Sequence, residues 1–238
     1  MRFASLFILL FTSIFSVSAS VNGDGRTWIA TDGLGRTLPT AEEFPLKNDG
    51  KKRTVGIFYV TWHTENLHND KPYTNDVTKI LNANPMAAKG NPDFPYGTYH
   101  WGEPEYGYFL SQDRYVIFHD MSMLADAGVD VLIMDVTNAV CYWDEWEVIF
   151  QTMQEMKALG NRVPKFCFWA FNGNVVDVVE SLYQRFYKTP RYKDLWFYWD
   201  GKPLLLYNAT PSIDANPNGG QRGKEYSEEI KQFFTLRN

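Results

Sequence analysis

The densest group of chemically capable side chains lies in one short stretch, from Tyr99 to Tyr108. Its ten residues include two carboxyl groups, one imidazole and four large aromatic rings. Rings stack on the apolar faces of pyranose sugars, and carboxyl or imidazole groups bind hydroxyls or exchange protons. We therefore predict that His100, Trp101 and Glu103 bind a sugar, with Glu103 also a candidate catalytic acid. The alternative is a lid that packs on the mouth of the fold with its charges in solvent.

Polar residues also follow two strongly apolar runs. Asp135 lies at the end of the run 129–136 and is followed by Asn138, and Asn172 comes just after the run 165–171. A carboxylate at the end of an apolar strand is costly unless a partner satisfies it. Asp135 is therefore either a site residue, as a sugar ligand or catalytic acid, or a structural residue bonded to loop amides. We predict that Asp135, Asn138 and Asn172 contribute to one binding site.

Trp62 and His63 begin a segment of about fifty residues that runs to Gln112, after the apolar run 54–60. Connections between a strand and a helix usually have about 2 to 6 residues, and much longer ones are functional or disordered. The many aromatic residues of this segment favour order. Trp62 and His63 are accordingly predicted to belong to the substrate-binding site.

These residues are positioned by an alternation of apolar runs and amphipathic segments. Nearly continuous apolar runs predict strands covered on both faces, and they occupy residues 54–60, 129–136, 165–171 and 203–207. Apolar stripes at helical spacing predict helices at 113–127, 144–159, 174–187 and about 224–231. Four successive strand–helix pairs predict parallel strands with right-handed crossovers. In such folds ligands bind at the carboxyl ends of the strands, where the residues above stand.

The predicted fold class is α/β, of the (β/α)8 TIM-barrel type, with only the first four to five β/α units present. The run Phe233–Leu236 reads as the start of a fifth strand, whereas a complete barrel takes about 250 residues. The alternative is a self-contained open sheet of four to five strands. A partial barrel would leave open sheet edges, through which we expect self-association.

The first residues have the pattern of a secretory signal peptide. Arg2 precedes an apolar run over 6–15, and small residues at 17–19 offer a cleavage site. We predict a signal peptide over 1–19, an irregular N-terminal arm over 20–50 and a partial barrel domain over 51–238. The mature protein is then secreted or periplasmic. No later apolar run is long enough to cross a membrane, so no membrane association is expected after cleavage.

Composition excludes several classes of function. The net charge of -5 gives no basic surface for nucleic acid, and 45% hydrophobic against 21% charged residues argues against disorder. No glycine-rich nucleotide motif follows any predicted strand, so no cofactor is expected. Cys141 and Cys167 have no zinc-ligand spacing and are predicted to be two buried thiols, and we expect no metal. A weaker alternative is a metal-dependent hydrolase that uses His63, His100 and Asp135.

Three segments resemble glycoside hydrolases of the family 99 and family 71 type. They are Val55-Gly56-Ile57-Phe58-Tyr59-Val60-Thr61-Trp62-His63, Tyr99-His100-Trp101-Gly102-Glu103-Pro104, and the run from Met123 to Asp135 that contains Ala127-Gly128-Val129-Asp130. The resemblance covers roughly residues 54–138. It implies a (β/α)8 barrel that acts on mannose- or glucose-containing glycans, with an oligo- or polysaccharide as partner. It also implies binding roles for Trp62, His63, His100, Trp101, Glu103 and Asp135.

The sequence departs from that family where the catalytic acids should lie. The family has a glutamate just after its third strand, whereas Trp169-Ala170-Phe171-Asn172 carries no acid, and the family's late Glu-Trp-His-Glu motif is absent. No catalytic residue is therefore carried over, and Asp135 and Glu103 stay weak candidates. The sequence predicts a secreted glycoside hydrolase of which this chain supplies the N-terminal, substrate-binding half. The alternative is a non-catalytic carbohydrate-binding protein.

Overall fold

The computed structural model describes residues 31–39, 43, 53–65, 73–87, 97–209 and 224–238. The chain divides into two compact units, Met1–Leu46 and Lys47–Asn238. The predicted signal peptide and most of the predicted arm over 20–50 lie outside the described residues. Within the part that is described, no helix is long and apolar enough to cross a membrane.

In the first unit, the described residues form a tight reverse turn closed by an antiparallel bridge between Thr31 and Thr37. The Asp32 carboxylate accepts hydrogen bonds from the backbone N–H groups of Leu34 and Arg36 and from the Arg36 guanidinium. These bonds lower the pKa of Asp32. The turn is thus built around one side chain, as aspartate turns commonly are.

Apart from one additional short helix and one additional two-residue strand, the second unit alternates strands and helices in the predicted order. Its strands are β1 Gly56–Tyr59, β2 Val131–Val136, β3 Lys165–Ala170, β4 Tyr198–Trp199, β5 Lys202–Tyr207 and β6 Thr235–Arg237. Its helices are α1 Val77–Ala83, α2 Arg114–Asp126, α3 Trp143–Ala158, α4 Val175–Leu182 and α5 Glu228–Phe233. A π-helical turn over Tyr183–Tyr187 extends α4, and a 3₁₀ turn spans Lys193–Leu195.

The strands form one sheet in which β1, β2, β3, β5 and β6 are parallel neighbours in chain order. Only β4 is antiparallel, as the first half of a hairpin with β5. The protein is thus a mixed α/β fold with a mostly parallel sheet. The order of these parallel strands in the sheet follows their order in the chain and nowhere reverses. Successive crossovers of the same hand produce this order.

One face of the sheet is covered by the helices. Alternate strand residues such as Leu132, Met134, Phe166 and Phe168 belong to the same buried cluster as the inner faces of α2, α3 and α4. Trp146 of α3 lies in this cluster with no exposed surface, and its indole N–H donates to the Thr61 hydroxyl at 3.1 Å. This face is the main core of the protein.

The opposite face, which we call the bare face, is different. A small buried cluster of Val131, Cys167 and Leu204 lies there, and it includes no helical residue. Towards the strand ends, Phe58 and Trp169 are 41% and 36% exposed. The expected coverage of both faces is thus incomplete at the strand ends. Of the described helices, α2 to α5 contribute residues to the cluster on the other side.

Most element ends follow their local signals. The Asp113 carboxylate caps α2 by accepting from the N–H groups of Tyr115 and Val116. Gly128 and Gly160 follow α2 and α3 with φ of 83° and 87°, a conformation that only glycine adopts readily. α5 begins later than predicted, because the Ser227 hydroxyl caps it by accepting from the N–H of Ile230.

Candidate functional site

Two exposed aromatic rings meet on the bare face, at the ends of β1 and β3. The rings of Phe58 and Trp169 have centroids 5.5 Å apart and lie nearly perpendicular, at 79°. β2 runs between their two strands, so the two side chains meet across it. We call Phe58 and Trp169 the sheet pair. Sequence analysis did not single them out, although alternation along β3 already placed Trp169 opposite to Phe168.

Asp135 lies beside the sheet pair, directly opposite Trp169 in the register of β2 and β3. The residue is only 2% exposed. Its Oδ1 accepts hydrogen bonds from the backbone N–H of Thr137 at 2.9 Å and from the Thr137 hydroxyl at 2.7 Å. The structural alternative considered for Asp135 is thus part of its role, since it fixes the loop that follows β2.

The same carboxylate also acts on a neighbouring tyrosine. Burial raises the pKa of Tyr142, and the charges of Asp135 and then Glu145 add to that effect. Tyr142 stands just before α3, so the loop after β2 returns its hydroxyl within electrostatic reach of Asp135. The Tyr142 ring packs on the helix-covered core, 6.3 Å from the ring of Trp146 between centroids, so Asp135 is the group of this pair that lies beside the sheet pair.

The loops after β2, β3 and β5 are joined at the carboxyl edge of the sheet. The backbone N–H of Asn172 donates to the carbonyl of Thr137, and the N–H of Asn208 donates to that of Ala170. The Asn208 side chain is buried and donates to the carbonyl of Phe171. The side chains of Asn138 and Asn172 are exposed, so both predicted site residues stand at this edge in reach of solvent.

The residues predicted in the long segment after β1 form a separate group of rings. Trp101 is its centre, with ring contacts to His63, Tyr73, Tyr99, His100 and Tyr108 at centroid distances of 4.3 to 6.0 Å. Tyr99 and Tyr108 stack at 3.6 Å. We call these six residues the loop cluster. Its rings largely cover one another, which agrees with the lid alternative for this stretch.

Trp101 is therefore held by packing, and its indole N–H is buried without a hydrogen-bond partner among the described residues. Glu103 is exposed, and its backbone N–H donates to the Thr78 hydroxyl at 2.9 Å. The Tyr108 hydroxyl donates to Asp76 at 2.7 Å, and Asp76 also caps α1. The short helix α1, which sequence analysis did not predict, thus anchors the stretch that carries the predicted site residues.

His63 links this cluster to β1. Its backbone N–H donates to the Ser111 hydroxyl, and its carbonyl accepts from the Ser111 N–H at 2.7 Å. Burial lowers the pKa of His63, and the charge of His100 lowers it further. The neutral imidazole can therefore accept as well as donate a hydrogen bond near neutral pH. Trp62, next to it, is 38% exposed.

Within the described ranges, no three His, Cys, Asp or Glu side chains come together in a way that could hold a metal ion. The alternative of a metal site on His63, His100 and Asp135 therefore has no geometric support there. Both cysteines are free thiols; Cys167 is buried and Cys141 is half-buried. Burial raises the pKa of Cys141 to about 11 and that of Cys167 to about 12, so neither is a ready nucleophile.

Comparison with known proteins gives one informative result. No family model and no curated protein matches the sequence. Among solved structures, the chain is similar to the GH99 endo-alpha-mannosidase from Bacteroides thetaiotaomicron, with a TM-score of 0.45 and 16% sequence identity. The similarity covers 76% of this chain and 54% of that one, so the chain spans about half the length of that structure.

Proposed function

We propose that this chain is the N-terminal, substrate-binding half of an exported glycoside hydrolase of the barrel type. It binds an oligo- or polysaccharide at the carboxyl ends of its parallel strands. The observation that carries the proposal is the exposed sheet pair, Phe58 and Trp169, beside the buried carboxylate of Asp135. The sequential parallel strand order supports the barrel part of the proposal.

The sheet pair has the geometry that a sugar needs. Its two rings stand nearly at right angles, so one can lie under the apolar face of a pyranose while the other borders its edge. Parallel sheets are normally covered on both faces. Burying the exposed rings under a ligand contributes about 25 cal/mol of favourable free energy per Å² of apolar surface removed from water. A flat, partly apolar ligand is therefore favoured over a small ion.

Polar groups for the sugar hydroxyls lie along the same edge. Asp135 supplies an acceptor, and the exposed amides of Asn138 and Asn172 supply donors and acceptors. Trp62, His63, His100, Trp101 and Glu103 remain proposed binding residues on the resemblance. The loop cluster keeps Trp101 packed, so we assign Trp101 to shaping the site wall.

Hydrolysis of a glycoside needs more carboxyl groups than the described strands of this chain provide. Among the six described strands, Asp135 is the one acidic residue, whereas glycosidases commonly use two carboxyl groups about 5 to 9.5 Å apart. We therefore propose binding with weak or no hydrolysis by this chain alone. The same observation favours the second candidate, a non-catalytic carbohydrate-binding protein.

Titration of the full chain with manno- and gluco-oligosaccharides by calorimetry tests the binding site. Trp169→Ala should weaken binding by about tenfold, since one aromatic contact contributes about 1 kcal/mol or more. Trp199→Ala is the matched control: Trp199 is similarly exposed, at 41%, but lies in β4 at the other end of the sheet. Equal losses in both variants, or no binding to the parent chain, would contradict the proposal.

A hydrolysis assay separates the two candidate functions. Asp135→Asn keeps the size of the side chain and removes its charge. A half-hydrolase should show a trace activity that this variant abolishes, whereas a binding protein has no rate to lose. Robust hydrolysis by the unaltered chain would show that the argument from a single carboxyl group is wrong.

Export is proposed on the N-terminal pattern alone. The apolar run over 6–15 and the small residues at 17–19 favour cleavage just after this stretch, before Ser20 or Val21. Expression with the native N-terminus, followed by N-terminal sequencing of the exported protein, tests this. A mature protein that begins at Ser20 or Val21 is the expected result, and retention of residues 1–19 would contradict it.

A further inference from the structure

A cavity of about 200 Å³ lies between β1 and α2, and Phe58 of the sheet pair is one of the residues that line it. Most of its wall is apolar and comes from β1, the loop before α2 and α2 itself. Its polar lining consists of Tyr59, His63, Ser111, Asp113 and Asp120. No lysine or arginine is among the described residues that line it, so its wall carries carboxyl groups without a matching cation.

The two carboxyl groups of this wall differ in what they already bind. The Asp113 side chain accepts from the N–H groups of Tyr115 and Val116, so it is committed to the start of α2. Among the described residues, Asp120 accepts one hydrogen bond, from the Tyr59 hydroxyl to its Oδ2 at 3.1 Å. Within the described part of the chain Asp120 forms no ion pair. It is thus the group on this wall with unused binding capacity.

The surroundings of Asp120 make its charge costly. Burial raises the pKa of Asp120, against the Tyr59 hydroxyl bond and the charge of His119, which lower it. His119 itself is engaged through Nδ1 with the Tyr106 hydroxyl at 2.7 Å. A half-buried carboxylate in an apolar cavity is stabilised most by a cation that brings its own hydrogen-bond donors.

We propose that this cavity binds a primary ammonium group carried on a compact, partly apolar body, with the ammonium on Asp120. The volume is below the range of about 300 to 1,000 Å³ typical of sites for drug-sized ligands, so the body is small. Anions are disfavoured by both carboxyl groups. A ligand with hydroxyls on every side would leave most of them against apolar wall without partners. The inference does not depend on glycan binding at the sheet pair.

Cyclohexylamine and cyclohexanol provide a direct test, since they share a ring and differ in charge. Titrated into the full chain and followed by NMR at neutral pH, the amine should bind at least about tenfold more tightly, as expected for a charge-assisted hydrogen bond. Equal binding of the two, or no binding of the amine, overturns the proposal. This comparison uses the unaltered chain and therefore does not depend on any variant being folded.

Variants on α2 locate the site. Asp120→Asn should abolish the preference for the amine. Asp126→Asn is the matched control, since Asp126 lies on the same helix, is exposed and faces Arg162; it should keep the preference. A preference that survives in Asp120→Asn, or is lost equally in both variants, places the ammonium elsewhere and overturns the assignment.

A lysine side chain is a natural source of an ammonium group on an apolar body. Capped lysine against capped acetyl-lysine tests this source, because acetylation removes the charge. Binding that acetylation does not weaken overturns the proposal. Asp120→Asn should leave oligosaccharide binding unchanged, because Asp120 is not among the proposed sugar-binding residues. A failure of glycan binding and a failure of this site therefore give different results.

Discussion

Phe168 and Trp169 are adjacent on β3, yet they serve opposite faces of the sheet. Phe168 has no exposed surface and packs against Trp146 and Phe186. Trp169 is 36% exposed and meets only Phe58 and Phe171 among the described rings. An aromatic-rich composition therefore says little by itself. Rings on the helix-covered face stabilise the fold, and the two exposed rings of the sheet pair are the ones that we propose bind a sugar.

The strongest test of this contrast is truncation of the buried ring. Phe168→Ala should lower the free energy of unfolding by about 3 to 5 kcal/mol, because it leaves a cavity in the main core. Trp169→Ala should cost about 1 kcal/mol or less, since its ring is partly exposed. Urea unfolding followed by circular dichroism measures both. Similar losses in the two variants would show that the bare face is also a packed core.

The loop cluster sharpens the comparison, because its rings are packed without belonging to the main core. Trp101→Ala should destabilise the protein by about 2 kcal/mol, through loss of several ring contacts that are each worth about 0.5 to 1.5 kcal/mol. Hydrogen exchange should rise over residues 97–111 and stay unchanged in β2 and β3. Unchanged exchange in the loop would mean that the rings do not hold it.

Asp113 and Asp120, the two carboxyl groups beside β1, should differ in their effect on stability, but by less than the two rings do. Asp113 holds the start of α2, so Asp113→Ala should cost about 1 kcal/mol, the usual effect of losing a helix cap. Asp113→Asn is the control and should recover most of the loss, since asparagine is also a good cap. Thermal unfolding of both variants at neutral pH measures the difference.

Asp120 should show the smallest effect and the opposite sign. Its pKa is raised in the folded protein, so the unfolded chain releases this proton at lower pH than the folded one does. The carboxyl group therefore weakens stability as pH rises from about 4 towards its folded pKa. Asp120→Asn should raise Tm slightly at pH 7, with the gain vanishing below pH 4. The neighbouring groups Tyr59, His63, His119 and Tyr106 are unaltered in both proteins, which makes the difference specific. A gain that persists at pH 3 would contradict the assignment.

Much of the architecture could be predicted from local pattern. The runs 129–136 and 165–171 gave β2 and β3 within two residues, and Asp113, Gly128 and Gly160 marked helix ends by chemistry that acts over a few residues. Two elements escaped. α1 lies inside a segment dominated by rings, and β4 is a two-residue hairpin arm whose pairing is set by β5.

The site was harder to predict, because it depends on which face each ring joins. Trp101 attracts attention in the sequence, but only its contacts show that other rings surround it. Trp169 sits in an apolar run where its exposure is invisible until the helices are placed. The sequence did carry a signal for Asp120. This acidic residue lies three residues after Ile117 and one before Met121, both of which are buried on the inner stripe of α2.

The outer strands β1 and β6 each have a single neighbour among the described strands. No described strand pairs with their other sides, where a second molecule could pair with the backbone groups. If copies associate through these strand edges, the apparent midpoint temperature of unfolding rises with protein concentration by mass action. Protein concentration is therefore an experimental variable. Measurements on this chain at micromolar and at NMR concentrations would then report on different species.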